Sequence, residues 1–177
     1  LVQSITNGVK YGMATVAGLI SGCIVHTTLL AFGLSAIIKT NEHIYTAIKI
    51  LGAAYLLYLA FKVFKSDAQI TLSGNAPKKS LWQLFKQGVI MNVLNPKVTI
   101  FFLAFFPGFL FSDTLSTVVQ FYVLGLIFMA VSFVVFSGIA LASGSISDYT
   151  SKNSKVNVFF KWLQIVVFVG IAVYILL

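Results

Sequence analysis

Charge is scarce in this sequence, and long apolar runs dominate it. Charged residues make up 9% of its 177 positions and apolar residues 59%, whereas a soluble domain is about 25% charged and about 45–50% apolar. So little polar surface cannot coat a water-soluble globule of this size, which excludes a disordered chain and an ordinary cytosolic enzyme. The composition indicates a polytopic membrane protein.

Cysteine, arginine and acidic residues are also few. The single Cys23 cannot form an internal disulfide, which excludes a disulfide-rich secreted module. Four acidic residues accompany twelve basic ones, and every basic residue is a lysine. A metal site needs clustered His, Cys or carboxylate ligands. No acidic residue lies inside an apolar run of this sequence. We therefore expect no metal site and no cofactor.

Five apolar runs are long enough to cross a bilayer as helices, which takes about 20 residues each. They cover residues 13–38, 44–64, 81–111, 117–142 and 156–177, and the third is broken at 95–97. The connections are short, so no soluble domain fits between them. The fold class is therefore an all-α membrane helix bundle, with residues 1–177 forming one transmembrane domain.

The lysines indicate the orientation of the bundle. They concentrate in the loops after the second and fourth runs, while the loops on the opposite side are nearly neutral. The positive-inside rule makes the lysine-rich side cytoplasmic. The net charge of +8 then mainly reflects lysines on the cytoplasmic side of the membrane. We therefore expect no nucleic-acid partner. A lipid-headgroup role for Lys78 and Lys79 is the minor alternative.

The third run carries polar residues at mid-depth. Ser80 and Gln83 form a capping-box pattern that starts a helix at Leu81. Pro96 removes a backbone donor and disfavours helical geometry at Asn95, so we predict a break there. A broken helix with amides and a cation near the midplane is typical of a transport site, where an ammonium and freed N–H groups suit a carboxylate. The candidate substrate-binding residues are Asn92, Asn95, Pro96 and Lys97.

Each of these features also has a purely structural interpretation. If Lys86 marks the inner interface, Lys97 lies about 16 Å deeper, near the middle of a ~30 Å core, but snorkelling or a tilted helix would place it shallower. Pro96 alone is compatible with a packing kink. His26 is either a polar group bonded to a neighbouring helix or a proton shuttle. The GxxxG pairs favour close helix packing and permit a homodimer.

Several motifs resemble those of the LysE/RhtB amino-acid exporters. In chain order they are the spaced glycines Gly8, Gly12, Gly18 and Gly22, the runs Gly33–Ala36 and Leu51–Leu59, and the segment Phe85–Gly108 with its Leu94-Asn95-Pro96-Lys97. The resemblance covers the whole chain.

The resemblance implies a particular architecture. That family has six spans in two three-helix halves of opposite orientation, and its first span ends in a Pro-Gly-Pro motif. This sequence begins at Leu1, just after the place where that motif would stand. We therefore expect the first span to be missing here, with five of six spans visible. Paired proline breaks in the two halves are the expected pointer to a midplane binding site.

The resemblance also implies a function. It predicts a secondary transporter, and not an enzyme, that exports amino acids or related small zwitterions across the bacterial inner membrane with the proton gradient. Its partners would be the amino-acid substrate and the lipid bilayer, and the coupling candidates are His26 and Asp148. The alternatives are an exporter of another small solute or a metal ion, and a membrane subunit without transport. An intramembrane serine protease is disfavoured because the sequence has no Gly-x-Ser-Gly motif.

Overall fold

The helices of this protein run almost end to end along the chain. The computed structural model describes residues 1–40, 42–66, 76–145 and 154–177. Within these ranges lie α1 Val2–Asn7, α2 Val9–Leu29, α3 Ser35–Thr40, α4 Glu42–Lys65, α5 Leu81–Val93, α6 Pro96–Phe105, α7 Thr117–Leu141 and α8 Ser154–Leu176. A π-helical turn, Leu30–Leu34, joins α2 to α3, and a 3-10 turn, Phe106–Phe109, follows α6.

Several of these helices are long and apolar enough to cross a membrane. In the described part of the chain, four stretches qualify singly: Val9–Ile37, His43–Lys65, Thr117–Leu141 and Val156–Leu176. The pair Leu81–Val93 and Pro96–Phe109, bent by 54°, makes a fifth if it is counted as one span. The protein is thus an all-α, multi-pass membrane bundle. The bilayer boundaries, the sixth span and the inverted repeat stay predictions.

Side-chain caps fix where α5 and α7 begin. The Oγ of Ser80 accepts a hydrogen bond from the Gln83 N–H at 3.2 Å, and the Oε1 of Gln83 accepts from the Ser80 N–H at 2.9 Å. The predicted capping box is therefore confirmed, and it stabilises the first turn of α5. Ser116 caps α7 by accepting from the Val119 N–H at 3.3 Å.

The helices enclose two apolar clusters, and α6 contributes to both. The first cluster joins α2 and its π-turn to α6, the 3-10 turn and α7 through Cys23, Leu30, Ala31, Leu34, Phe102, Phe106 and Phe121. The second joins α4, α6 and α8 through Ala53, Leu56, Ala60, Ala104, Phe168, Ala172 and Ile175. The half-helix α6 therefore separates a group built on α2 from a group built on α4 and α8.

Small residues let α2 and α5 approach each other closely. A Cβ placed on Gly18 would overlap the carbonyl oxygen of Phe85, and one placed on Gly22 would lie 2.7 Å from the Cβ of Asn92. On the opposite helix, a Cβ on Gly88 would lie 2.5 Å from the carbonyl oxygen of Thr15. The prediction that the Gly18/Gly22 pair serves close helix packing is confirmed. The partner helix lies in the same chain, and the homodimer stays a prediction.

Candidate functional site at the broken helix

The break between α5 and α6 is built by Asn95 and Pro96. Asn95 has φ −83° and ψ 106°, so it has left helical geometry as its position before a proline predicts. Its Oδ1 accepts a hydrogen bond from the Lys97 N–H at 3.1 Å and caps α6. Pro96 is the first residue of α6, a position that needs no N–H. The break therefore lies at residues 94 and 95, one to two residues earlier than the predicted 95–97, and Lys97 is helical.

The first N–H groups of α6 are already bonded within the chain. Pro96 has no N–H, and Lys97 uses its own for the Asn95 side chain. The N–H groups of Val98 and Thr99 both donate to the Asn95 carbonyl, at 3.0 and 3.2 Å. The prediction that freed N–H groups would bind an anion is therefore wrong in this structure. The cationic side chain of Lys97 remains as the group that can attract one.

On the α2 side of the break, Asn92 lies in a buried polar cluster with His26 and Cys23. Asn92 is 7% exposed and His26 is 2% exposed. The Nδ2 of Asn92 donates to the Sγ of Cys23 at 3.6 Å, and the Nε2 of His26 lies 3.2 Å from the Asn92 carbonyl oxygen. The Oδ1 of Asn92 and the Nδ1 of His26 have no hydrogen-bond partner among the residues the structure describes.

On the other side, Lys97 points to α8. Its Nζ lies 4.2 Å from the centroid of the Phe168 ring, and the side chain is half-buried. Among the described residues, no hydrogen bond or ion pair engages the ammonium, and none of the described membrane-spanning stretches contains Asp or Glu. Lys97 also lies near the middle of the bent pair Leu81–Phe109. An unpaired cation within a membrane-spanning stretch is a candidate for a functional role.

In the structure, the predicted substrate-binding residues therefore face different helices and do not line one common surface. Asn92 faces α2, Asn95 is used as a cap, Pro96 is exposed, and Lys97 faces α8. Asp148, a coupling candidate, lies outside the described residues. His26 belongs to the site because it contacts the backbone at the break. No group of three potential metal ligands occurs in the part of the chain that the structure describes.

Sequence reasoning missed two members of this region, Phe168 and Cys23. Phe168 is one apolar residue within an apolar run, and only the packing of α8 against α6 shows that it faces a cation. Cys23 follows Gly22. In the structure, the close contact of Gly22 with Asn92 places this turn of α2 at the break.

The chain is similar to several known membrane proteins. A family model described as LysE type translocator matches residues 1–177. The leucine efflux protein of Salmonella choleraesuis is 30% identical over 175 residues, which cover 97% of this chain and 82% of that protein. The homoserine/homoserine lactone efflux protein of Salmonella typhimurium is 30% identical over 149 residues, or 84% of this chain and 72% of that protein.

A third relative, an uncharacterized membrane protein of Vibrio cholerae, is 30% identical over 152 residues, which cover 84% of this chain and 74% of that protein. No solved structure matches the chain.

Proposed function

We propose that this chain, which belongs to the LysE type translocator family, exports amino acids or related small zwitterions across the bacterial inner membrane. Membership of that family makes the chain a multi-pass membrane transporter and not an enzyme. Two of its relatives are named efflux proteins, one for leucine and one for homoserine and its lactone. Those names support export as the direction and an amino acid as the substrate class.

The observation that carries the proposal is the environment of Lys97. Its ammonium lies over the Phe168 ring, and the described spans offer it no carboxylate. A cation–π contact stabilises a cation by about 0.5–2 kcal/mol. A carboxylate about 4 Å from an ammonium gains about 4 kcal/mol at an effective dielectric constant of 20. This Coulomb energy exceeds the cation–π energy before the desolvation of both ions is subtracted. In our proposal a substrate carboxylate displaces the ring, and the ring takes the ammonium back after release.

The energy source in this proposal is the proton gradient, with His26 and Asp148 as the coupling candidates. His26 is a candidate because it is buried against the break and its Nδ1 has no hydrogen-bond partner among the described residues. An exporter of a metal ion is less well supported, since the described residues offer no cluster of metal ligands. Asn92, Asn95 and Pro96 contribute the break that presents Lys97, while the bilayer and the substrate are the partners.

Export from loaded cells tests the proposal. Cells that express the chain are loaded with leucine-containing dipeptides, and external leucine is followed against a vector control. We expect release above the control, and a fall of about tenfold or more in Lys97→Ala because several kcal/mol of substrate attraction are lost. The matched control is Lys86→Ala, since Lys86 lies over the Trp82 ring at 5.3 Å in the first half of the same bent pair.

Two outcomes would contradict the proposal. Release no greater than the vector control would remove the exporter assignment for leucine and related amino acids. Equal export by Lys97→Ala and Lys86→Ala, at equal amounts of inserted protein, would remove the role of Lys97.

A further inference from the structure

The carbonyl of Asn92 loses its α-helical hydrogen-bond donor at the proline break. In a continuous α-helix this carbonyl would accept from the N–H of residue 96, four positions later. Residue 96 is proline and has no N–H to give. The Asn95 N–H donates to the same carbonyl at 3.0 Å as the chain turns away, and this bond uses one of the two lone pairs.

His26 is placed at the other lone pair. Its Nε2 lies 3.2 Å from the Asn92 oxygen, and both residues are more than nine-tenths buried. A carbonyl oxygen only accepts, so Nε2 must carry the hydrogen. The neutral ring then has its bare lone pair on Nδ1, the atom without a partner among the described residues. The tautomer of His26 is therefore set by the carbonyl at the break.

The location of this bond links three elements. The imidazole comes from α2, the carbonyl ends α5, and the His26 ring also contacts the Phe102 ring of α6 at 5.5 Å between centroids. The C-terminal end of a helix carries partial negative charge, which favours an N–H donor at that place. A donor from α2 thus joins the two half-helices on the side opposite Lys97.

We propose that His26 is a positioning residue of the transport site: its Nε2–H replaces the hydrogen bond that Pro96 withholds from Asn92, and it holds the break in the geometry that presents Lys97. This inference rests on the proposed function for its transport readout. It assigns His26 a donor role that needs no change of protonation. The alternative is that His26 carries the coupled proton. The His26→Gln variant distinguishes these two roles.

The test compares His26→Gln with His26→Leu. A glutamine side chain places an N–H donor near the position of Nε2 but does not titrate, whereas leucine offers no donor. In proteoliposomes driven by a proton gradient, we expect His26→Gln to transport leucine within about threefold of the wild-type kcat/KM, with an unchanged pH profile, because the bond is kept. We expect His26→Leu to lose about tenfold or more, because the site is misplaced.

A second readout does not depend on transport. Cys23 is the only cysteine of the chain, it is 2% exposed, and it accepts from Asn92 at 3.6 Å. The rate at which N-ethylmaleimide labels Cys23 therefore reports how tightly α2 holds the end of α5. We expect slow labelling in the wild type and in His26→Gln, and faster labelling in His26→Leu.

Each result decides for or against the inference. If His26→Gln is as defective in transport as His26→Leu while its Cys23 stays protected, the titrating ring is what matters and the positioning role is wrong. If His26→Leu labels and transports like the wild type, the bond does not hold the break and the inference is also wrong. If the wild type itself does not transport leucine, the proposed function fails for this substrate, and the labelling comparison alone still decides the donor role.

Discussion

The two sides of the broken helix are built in opposite ways. On the α2 side, glycines bring backbones into contact, and Asn92 contacts Cys23 and His26 in the buried interior. On the α8 side, the Lys97 ammonium lies over the face of Phe168, with no hydrogen bond among the described residues. This difference supports our proposal that one polar motif serves two purposes. In that proposal the α2 side fixes the break, and the α8 side keeps a cation available for a substrate.

The largest effect that separates the two sides should come from a methyl group on the α2 side. In Gly88→Ala the new Cβ would lie 2.5 Å from the carbonyl oxygen of Thr15 and 2.9 Å from the backbone nitrogen of Leu19, and neither can yield like a flexible side chain. We expect a loss of about 2 kcal/mol or more of stability from overpacking. Thermal unfolding in detergent micelles measures it.

The matched control for this change is Gly138→Ala on α7, where nothing lies within 4 Å of the added Cβ. Alanine is favoured over glycine in a helix interior by about 1 kcal/mol, so the control should unfold at the wild-type temperature or slightly above it. Equal unfolding temperatures for the two variants would show that the α2 side is not closely packed.

A smaller effect is expected from the ring on the α8 side. Phe168→Leu removes the group that holds the Lys97 ammonium when no substrate is bound. Without the ring, the substrate no longer has to displace a cation–π contact worth about 1 kcal/mol. We therefore expect a roughly fivefold lower KM for leucine. Transport kinetics in proteoliposomes measure it, with Phe159→Leu as the control because that ring is 61% exposed. An unchanged or raised KM in Phe168→Leu would contradict the account of Lys97.

The smallest effect on stability is expected from the helix caps. Asn95→Ala removes the cap of α6 and Ser116→Ala the cap of α7, and each should cost about 1 kcal/mol. The two variants should therefore unfold at similar temperatures. Only Asn95→Ala should also transport more slowly, because its cap fixes the turn that carries Lys97. Equal transport by both variants would mean that the geometry of this turn is not limiting.

Local features of the site could be predicted from the sequence because they depend on neighbouring residues. The lack of an N–H in Pro96, the extended geometry of Asn95 and the capping box of Ser80 all act within one or two turns of helix. The apolar runs likewise predict the long helices, since a bilayer permits few other structures.

What could not be predicted depends on tertiary packing. Nothing in the local sequence distinguishes Phe168 from the other apolar residues of its helix or tells which helix Lys97 faces. The expectation of free N–H groups in α6 was wrong because the Asn95 carbonyl and side chain bond those groups locally, which requires a specific turn geometry. The donor from His26 comes from a residue 66 positions away, so only the packing of α2 on α5 brings it to the break.

The central claim is that Lys97 recognises the carboxylate of the substrate. Its most direct test is the ratio of kcat/KM for leucine to that for leucinamide, which lacks the carboxylate, measured in proteoliposomes for the wild type and for Lys97→Gln. We predict that the wild type strongly prefers leucine and that the ratio falls toward one in Lys97→Gln. A ratio that stays at the wild-type value in Lys97→Gln would contradict the account.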